Sequence, residues 1–150
     1  MAAKTIATLK CESLDDLDMK FASYKRKAEA GDAVAQSALG VCYSFGSGVA
    51  VDKAEAVKWY KRAAEAGHAG AQYNLGVCYE YGDGVAVDKA EAFKWYKRAA
   101  EAGHAGAQYN LGVCYANGDG VAVDKAEALK WFKRAAVAGD ADAQIALTKF

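Results

Sequence analysis

The chain repeats itself with a period of 36 residues, and this repeat restricts the fold more than any other feature of its 150 residues. The copies that align without a gap are residues 31–66, 67–102 and 103–138. The second and third copies differ only at Glu80/Ala116, Tyr81/Asn117, Phe93/Leu129, Tyr96/Phe132 and Glu101/Val137. Repeats of this length are typical of arrays in which each unit buries its apolar face against its neighbours. We therefore expect one domain over residues 1–150, with partial units at 1–30 and 139–150 as end caps.

Each copy predicts two helices, named A and B in chain order. In the second copy, Ala71, Leu75 and Cys78 follow the spacing of one helix face, which predicts helix A over about residues 69–81. Gly82 then predicts a left-handed C-terminal cap. The 35 alanines and the absence of proline favour helices over strands. The sequence therefore predicts an all-α fold, a right-handed α/α solenoid of helix-turn-helix repeats.

Helix B is predicted to begin at Asp88, which can cap the first turn while Glu91 follows three residues later as in a capping box. Its apolar stripe comprises Ala92, Trp95, Tyr96, Ala99 and Ala100. Gly103 is expected to stop the helix.

A glycine recurs inside helix A, as Gly40, Gly76 and Gly112. Because glycine in a helix costs about 1 kcal/mol relative to alanine, its recurrence predicts a close approach of another backbone. The alanines of helix B offer the matching smooth surface, and the tryptophans of helix B are expected to fill space between layers. These tryptophans are Trp59, Trp95 and Trp131.

A characteristic set of residues recurs in register in each copy. In the second copy it comprises Ala71, Leu75, Gly76, Tyr79, Gly82, Gly84, Val85, Asp88, Ala90, Trp95, Tyr96, Ala99, Ala100 and Gly103. With this set the sequence resembles the Sel1-like repeat family. The resemblance implies an α/α solenoid related to the tetratricopeptide repeat, whose members usually act as adaptors or scaffolds for protein complexes. The chain departs from the family where Ala50, Ala86 and Ala122 follow the turn valine, a position that is often proline.

The net charge restricts the kinds of partner that the chain is expected to bind. The 19 basic and 19 acidic residues cancel, so we expect neither nucleic acid nor a membrane as a partner. No signal-peptide or membrane-spanning run is visible, and the chain is expected to be cytoplasmic.

Cys42, Cys78 and Cys114 recur one layer apart, too far for disulfides, and are predicted to be buried free thiols. Cys11 lies outside the repeat and is the one cysteine that could be exposed.

Residues that could suggest chemistry have simpler interpretations. His68 and His104 share a position with Asp32 and Asp140, which predicts helix caps rather than metal ligands. The Gly-x-Gly turns lack the strand and the lysine of a phosphate loop. We predict no catalytic residue, no metal and no cofactor.

The copies differ along helix A, at positions that usually face the concave groove of tetratricopeptide-like solenoids. The candidate partner-binding residues are Tyr73, Asn74, Val77, Glu80, Tyr81, Tyr109, Asn110, Val113 and Asn117. Aromatic and amide groups on a groove favour peptide or protein recognition. The basic residues of helix B, such as Lys58 and Arg62, are expected to form a solvated ridge paired with nearby glutamates.

The leading hypothesis is a noncatalytic interaction module that is a monomer or self-associates weakly. The near-identity of the copies supports an alternative, a structural or consensus-like scaffold without its own ligand. A hydrolase of the cysteine-rich branch of the family is the third hypothesis, which a single cysteine per unit disfavours.

Overall fold

The computed structural model describes residues 13–150, and Cys11 lies outside this range. The helices of this range are α1 (Leu14–Glu29), α2 (Ala33–Phe45), α3 (Lys53–Glu65), α4 (Ala69–Tyr81), α5 (Lys89–Glu101), α6 (Ala105–Asn117), α7 (Lys125–Val137) and α8 (Ala141–Leu147). Each helix packs on the next one along the chain, and the described residues contain no strand. The predicted α/α solenoid is confirmed: α2, α4 and α6 are A helices, and α3, α5 and α7 are B helices.

The A helices end as the sequence predicts. Gly82 adopts φ 73° and ψ 35°, and its N–H donates to the Cys78 carbonyl at 2.8 Å. A left-handed glycine closes the helix because it accepts this φ without the steric cost of a Cβ. Gly46 and Gly118 do the same in the other copies.

The predicted cap of helix B is half confirmed. The Asp88 carboxylate accepts from the Glu91 N–H at 3.0 Å, as in a capping box. The Asp88 N–H, however, donates to the Tyr79 carbonyl at 2.9 Å, so it does not need the Glu91 side chain. Glu91 instead pairs with Lys94 at 3.7 Å.

The predicted role of the glycine inside helix A was wrong. A Cβ placed on Gly76 would lie 2.7 Å from the ring of Tyr96, so this glycine makes room for an aromatic side chain rather than a backbone. Gly40 faces the Tyr60 ring and Gly112 faces the Phe132 ring in the same way. The close backbone approach occurs at Gly84, which lies against the carbonyl of Lys53 in the preceding repeat.

The core runs through the length of the solenoid in consecutive clusters. One cluster joins α3 and α4 to Trp95 of α5, and another joins α5 and α6 to Trp131 of α7. The tryptophans therefore lie between layers, as predicted. All five residues of the predicted helix B stripe in the second copy are buried.

Candidate functional site

One side of α2, α4 and α6 forms a surface that we call the A face. The candidate binding residues lie on it in α4 and α6. The exposed members are Tyr81 and Asn117. The half-buried members are Tyr73, Asn74, Val77, Glu80, Tyr109, Asn110 and Val113. The face is therefore reachable from solvent, although most of its side chains also contact the fold.

A cavity of about 250 Å³ lies between α2 and α4, and we call it the first A-helix groove. It is lined by Val41, Ser44, Phe45, Lys53, Tyr60, Asn74, Val77, Cys78 and Asp83. The groove brings two predicted residues, Asn74 and Val77, together with residues of the first repeat that sequence reasoning missed. The period of 36 could have found them, because Val41, Ser44 and Phe45 share their positions with Val77, Glu80 and Tyr81.

The rim of this groove carries exposed apolar side chains. Phe45 is 74% exposed and Val41 is 38% exposed. The Lys53 ammonium lies 5.7 Å from the centre of the Phe45 ring, a distance at which a cation and a ring attract each other weakly in water. Exposed aromatic surface beside a concave space is the kind of feature that binds a partner's side chain.

Glu80 contacts the fold as well as solvent. The Tyr96 hydroxyl donates to the Glu80 carboxylate, linking helix B to helix A of the same repeat. Burial raises the pKa of Tyr96 well above its ordinary value, and the bond to Glu80 raises it further. Tyr96 therefore remains a neutral hydroxyl donor at any physiological pH.

The partners in this contact change together between copies. In the first repeat the Tyr60 hydroxyl donates to the Ser44 hydroxyl at 3.4 Å. In the third repeat the same positions hold Phe132, which has no hydroxyl, and Ala116, which has no acceptor. The difference between the copies at position 80 therefore belongs to a contact within the fold as well as to the A face.

Tyr73 and Tyr109 pack against other aromatic rings of the fold. The Tyr73 ring stacks on His104 of the next repeat with centroids 4.7 Å apart and planes 20° apart, and it lies 6.0 Å from the Tyr96 ring of its own repeat. The Tyr109 ring lies 5.7 Å from the Phe132 ring of its own repeat. Tyr73 therefore joins two layers, Tyr109 joins the helices of one repeat, and both keep part of their surface on the A face.

The histidines cap helices, as predicted. Nδ1 of His104 accepts from the Ala107 N–H at 3.1 Å, and His68 accepts from the Ala71 N–H at 3.0 Å. Burial lowers the pKa of His104, which keeps Nδ1 unprotonated and able to accept.

The repeat cysteines are buried free thiols, as predicted. Burial raises the pKa of Cys78 to about 11 and that of Cys114 to about 12. Since the thiolate is the nucleophile, these thiols are inert at neutral pH.

The helix B surface is paired internally. Lys58, Lys94 and Lys130 each lie 3.5–3.7 Å from a glutamate three residues earlier. Arg62, Arg98 and Arg134 lie over the tryptophan rings of their own helices, at 4.7–4.9 Å. The predicted pairing of the basic ridge is confirmed for one lysine in each B helix.

The described residues contain neither a metal-ligand cluster nor a membrane-spanning helix. Across residues 13–150, no three His, Cys, Asp or Glu side chains converge as metal ligands would. The helices of this same range are too short or too polar to cross a bilayer.

The Sel1 repeat model matches the chain three times, at residues 33–68, 69–104 and 105–140. These matches cover the three full repeats and are offset by two residues from the boundaries read from the sequence.

Solved structures share the fold. The chain is 48% identical to c5321, a protective antigen of uropathogenic Escherichia coli displaying an SLR fold, with a TM-score of 0.80 over 83% of this chain and 27% of that one. It is 41% identical to a Sel1 repeat protein from Oxalobacter formigenes, with a TM-score of 0.79 over 85% of this chain and 96% of that one. Helicobacter pylori cysteine rich protein B shares the fold at 24% identity, with a TM-score of 0.69 over 88% and 95% of the two chains. None of the curated proteins matches the chain.

Proposed function

Because the chain belongs to the Sel1 repeat family, whose members generally serve protein–protein interaction, we propose that it is a noncatalytic module that holds a peptide or protein on its A face. The first A-helix groove is the observation that carries this proposal. It is an open space between two A helices, it is rimmed by exposed apolar side chains, and its amide and hydroxyl groups can bond to a peptide backbone.

The helix B face is the weaker candidate surface. One lysine of each B helix is paired with a glutamate and each arginine lies on a tryptophan, so a partner would have to compete with these contacts. The A face offers Phe45 and Tyr81, which are 74% and 68% exposed, and the Lys53 ammonium lies 5.7 Å from the Phe45 ring, farther than the arginines lie from the tryptophans. Exposed aromatic residues are the side chains that most often contribute strongly to interfaces.

Two surface variants test the choice of face. Phe45→Ala with Tyr81→Ala removes exposed A-face rings, and Lys61→Ala with Lys97→Ala changes exposed helix B residues as a matched control. Each pair should change the free energy of unfolding by less than about 1 kcal/mol, because exposed side chains outside special contacts contribute little. Affinity capture should lose its proteins with the A-face variant and retain them with the helix B variant. The opposite pattern would exclude the A face.

The alternative function is a scaffold without its own ligand. It is supported by the near-identity of the second and third copies and by the matched change of Glu80 and Tyr96, which is internal to the fold. If no chain captures any protein, this alternative replaces the proposal. If both variants capture the same proteins as the unaltered chain, the exposed A-face rings are not the binding site.

A further inference from the structure

Glu80 is charged, whereas the residues at the equivalent position in the neighbouring repeats are uncharged. The same position holds Ser44 in the first repeat and Ala116 in the third. Since Ser44 lines the first A-helix groove, Glu80 lies on the corresponding surface one layer further along the solenoid. The A face therefore presents a small hydroxyl, a carboxylate and a methyl group in successive layers.

The Glu80 carboxylate lies where the helix itself disfavours an anion. It is half-buried in the last turn of α4, beside the negative end of the helix dipole. The Tyr96 hydroxyl is the hydrogen-bond donor that the described residues provide for it. Within residues 13–150, no lysine or arginine nitrogen lies within ion-pair distance of this carboxylate, whereas Glu55, Glu91 and Glu127 each have a lysine. Among the described residues, the Glu80 carboxylate therefore has a hydroxyl partner and no basic partner at ion-pair distance.

The neighbouring layer offers a different chemistry on the same face. The first A-helix groove has Val41, Val77 and the exposed Phe45 ring around the small Ser44 side chain. Ser44 leaves space at the position that the longer Glu80 side chain fills in the next layer. Lys53 and Asp83 also line the groove and carry opposite charges, so this pair gives the lining no preference for either sign of charge. An uncharged apolar side chain is favoured there by its burial against Val41, Val77 and Phe45.

We propose that the A face binds a peptide whose apolar side chain enters the first A-helix groove while a lysine or arginine of the same peptide pairs with Glu80. This inference rests on the proposed function and adds the chemistry of the partner. Adjacent helices pack roughly 8–10 Å apart, and an extended peptide rises about 3.3 Å per residue. The apolar and basic residues are therefore about three positions apart in the partner.

The test uses synthetic octapeptides of glycine and serine that carry phenylalanine and arginine three positions apart, in either order. Control peptides replace arginine by glutamate, or phenylalanine by glycine. The ¹H–¹⁵N correlation spectrum of the full chain follows each titration. The peptides with both residues should shift signals of α2 and α4 and bind about threefold to fivefold more tightly than the glutamate peptides, the range of a solvated ion pair.

Two variants separate charge from structure. Glu80→Gln keeps an oxygen that accepts from the Tyr96 hydroxyl but removes the charge. Glu80→Ala with Tyr96→Phe reproduces the Ala116 and Phe132 pair that the third repeat already folds with. Both variants should bind the arginine and glutamate peptides equally well.

Four results would overturn this inference, and they differ in what else they affect. Binding on the A face without a preference for arginine, or a preference that survives in Glu80→Gln, contradicts the role of Glu80 and leaves the proposed function standing. Shifts confined to α3, α5 and α7 contradict both. No binding by any of the peptides also contradicts the inference, whereas the proposed function then depends on the capture experiment alone.

Discussion

The lack of space for a Cβ atom explains why position 76 holds glycine rather than alanine. A Cβ there would meet the Tyr96 ring at 2.7 Å, although elsewhere in a helix alanine is preferred to glycine. The ring is fully buried and cannot move away cheaply, so the usual gain from alanine is reversed.

We expect Gly76→Ala to lower the free energy of unfolding by about 1–3 kcal/mol, the usual cost of overpacking a core. Urea denaturation followed by circular dichroism measures the change. The matched control is Gly70→Ala in the same helix, made and compared in a His68→Asp background, because a Cβ on Gly70 would otherwise lie 3.1 Å from the His68 ring. The repeats that hold Val34 and Asp142 at this position also have an aspartate cap, Asp32 and Asp140. The control should be neutral or stabilising, and equal losses in both variants would contradict the steric explanation.

His104 makes stability depend on pH. Its Nδ1 must be unprotonated to accept from Ala107, and burial holds its pKa below the ordinary 6.5. The unfolded chain then binds more protons than the folded one between the two pKa values. This contribution to stability is complete above pH 6.5 and is lost as the pH falls through the lower, folded pKa.

His104→Asp should remove this part of the acid sensitivity, since Asp32 and Asp140 already cap helices at the same position at 2.9–3.0 Å. Unfolding free energies measured from pH 7.5 down to 5 should fall less steeply in the variant, by about 1 kcal/mol over the range, the typical contribution of a cap. Identical pH profiles would exclude the cap as the cause.

At the scale of the helix pair, the contact between Glu80 and Tyr96 behaves as one unit. Glu80→Ala leaves the buried Tyr96 hydroxyl without its acceptor, and Tyr96→Phe leaves the carboxylate without its donor. Each single variant should lose about 1–2 kcal/mol, because an unpaired buried polar group costs more than the bond contributes.

The double variant should lose less than the sum of the single losses, by about 1 kcal/mol, since both partners are removed together as in the third repeat. A double-mutant cycle from chemical denaturation measures this coupling. Additive losses would show that the two differences between the copies arose independently.

Local signals account for how much of each element the sequence could predict. The bounds of α4 agree with the prediction because Gly82 and the apolar spacing act within one turn of chain. The contact of Tyr96 with Gly76 and Glu80 could not be predicted, because it depends on the rotation of α5 about its axis against α4. The five differences between the copies contained the signal, since Glu80/Ala116 and Tyr96/Phe132 change together.

At the scale of the whole molecule, the solenoid depends on contacts between adjacent helices. Each helix packs on its sequence neighbours, so α1 and α8 each lack a neighbour on one side within the described residues. The helices in the middle of the array are packed on both sides, and arrays of this kind unfold first at their terminal helices.

The reactivity of the repeat cysteines measures this difference in stability between the ends and the middle of the array. Cys114 and Cys78, with pKa values raised to about 12 and 11, should react with a disulfide reagent only when their repeats open. Cys42, whose pKa is raised less far by burial, lies nearer the N-terminal end of the array and should be labelled first in dilute urea. Mass spectrometry of labelled peptides gives the order, and simultaneous labelling of all three would show that the array unfolds as one unit.

The period predicted the array, because an array follows from repetition alone. The position of the A face came instead from the resemblance to tetratricopeptide-like solenoids. The period did not predict that the first groove is open, because that depends on the small Ser44 side chain beside Tyr60. The nine candidate residues share a surface, but their role in binding remains a prediction.

Photo-crosslinking tests the central claim, that partners bind the A face, most directly. A benzoylphenylalanine in place of Tyr81, an exposed aromatic residue, reports on the A face, and one in place of Lys97 reports on helix B. With the proteins that the chain captures, position 81 should form covalent adducts and position 97 should form none. Adducts from position 97 without adducts from position 81 would contradict the account.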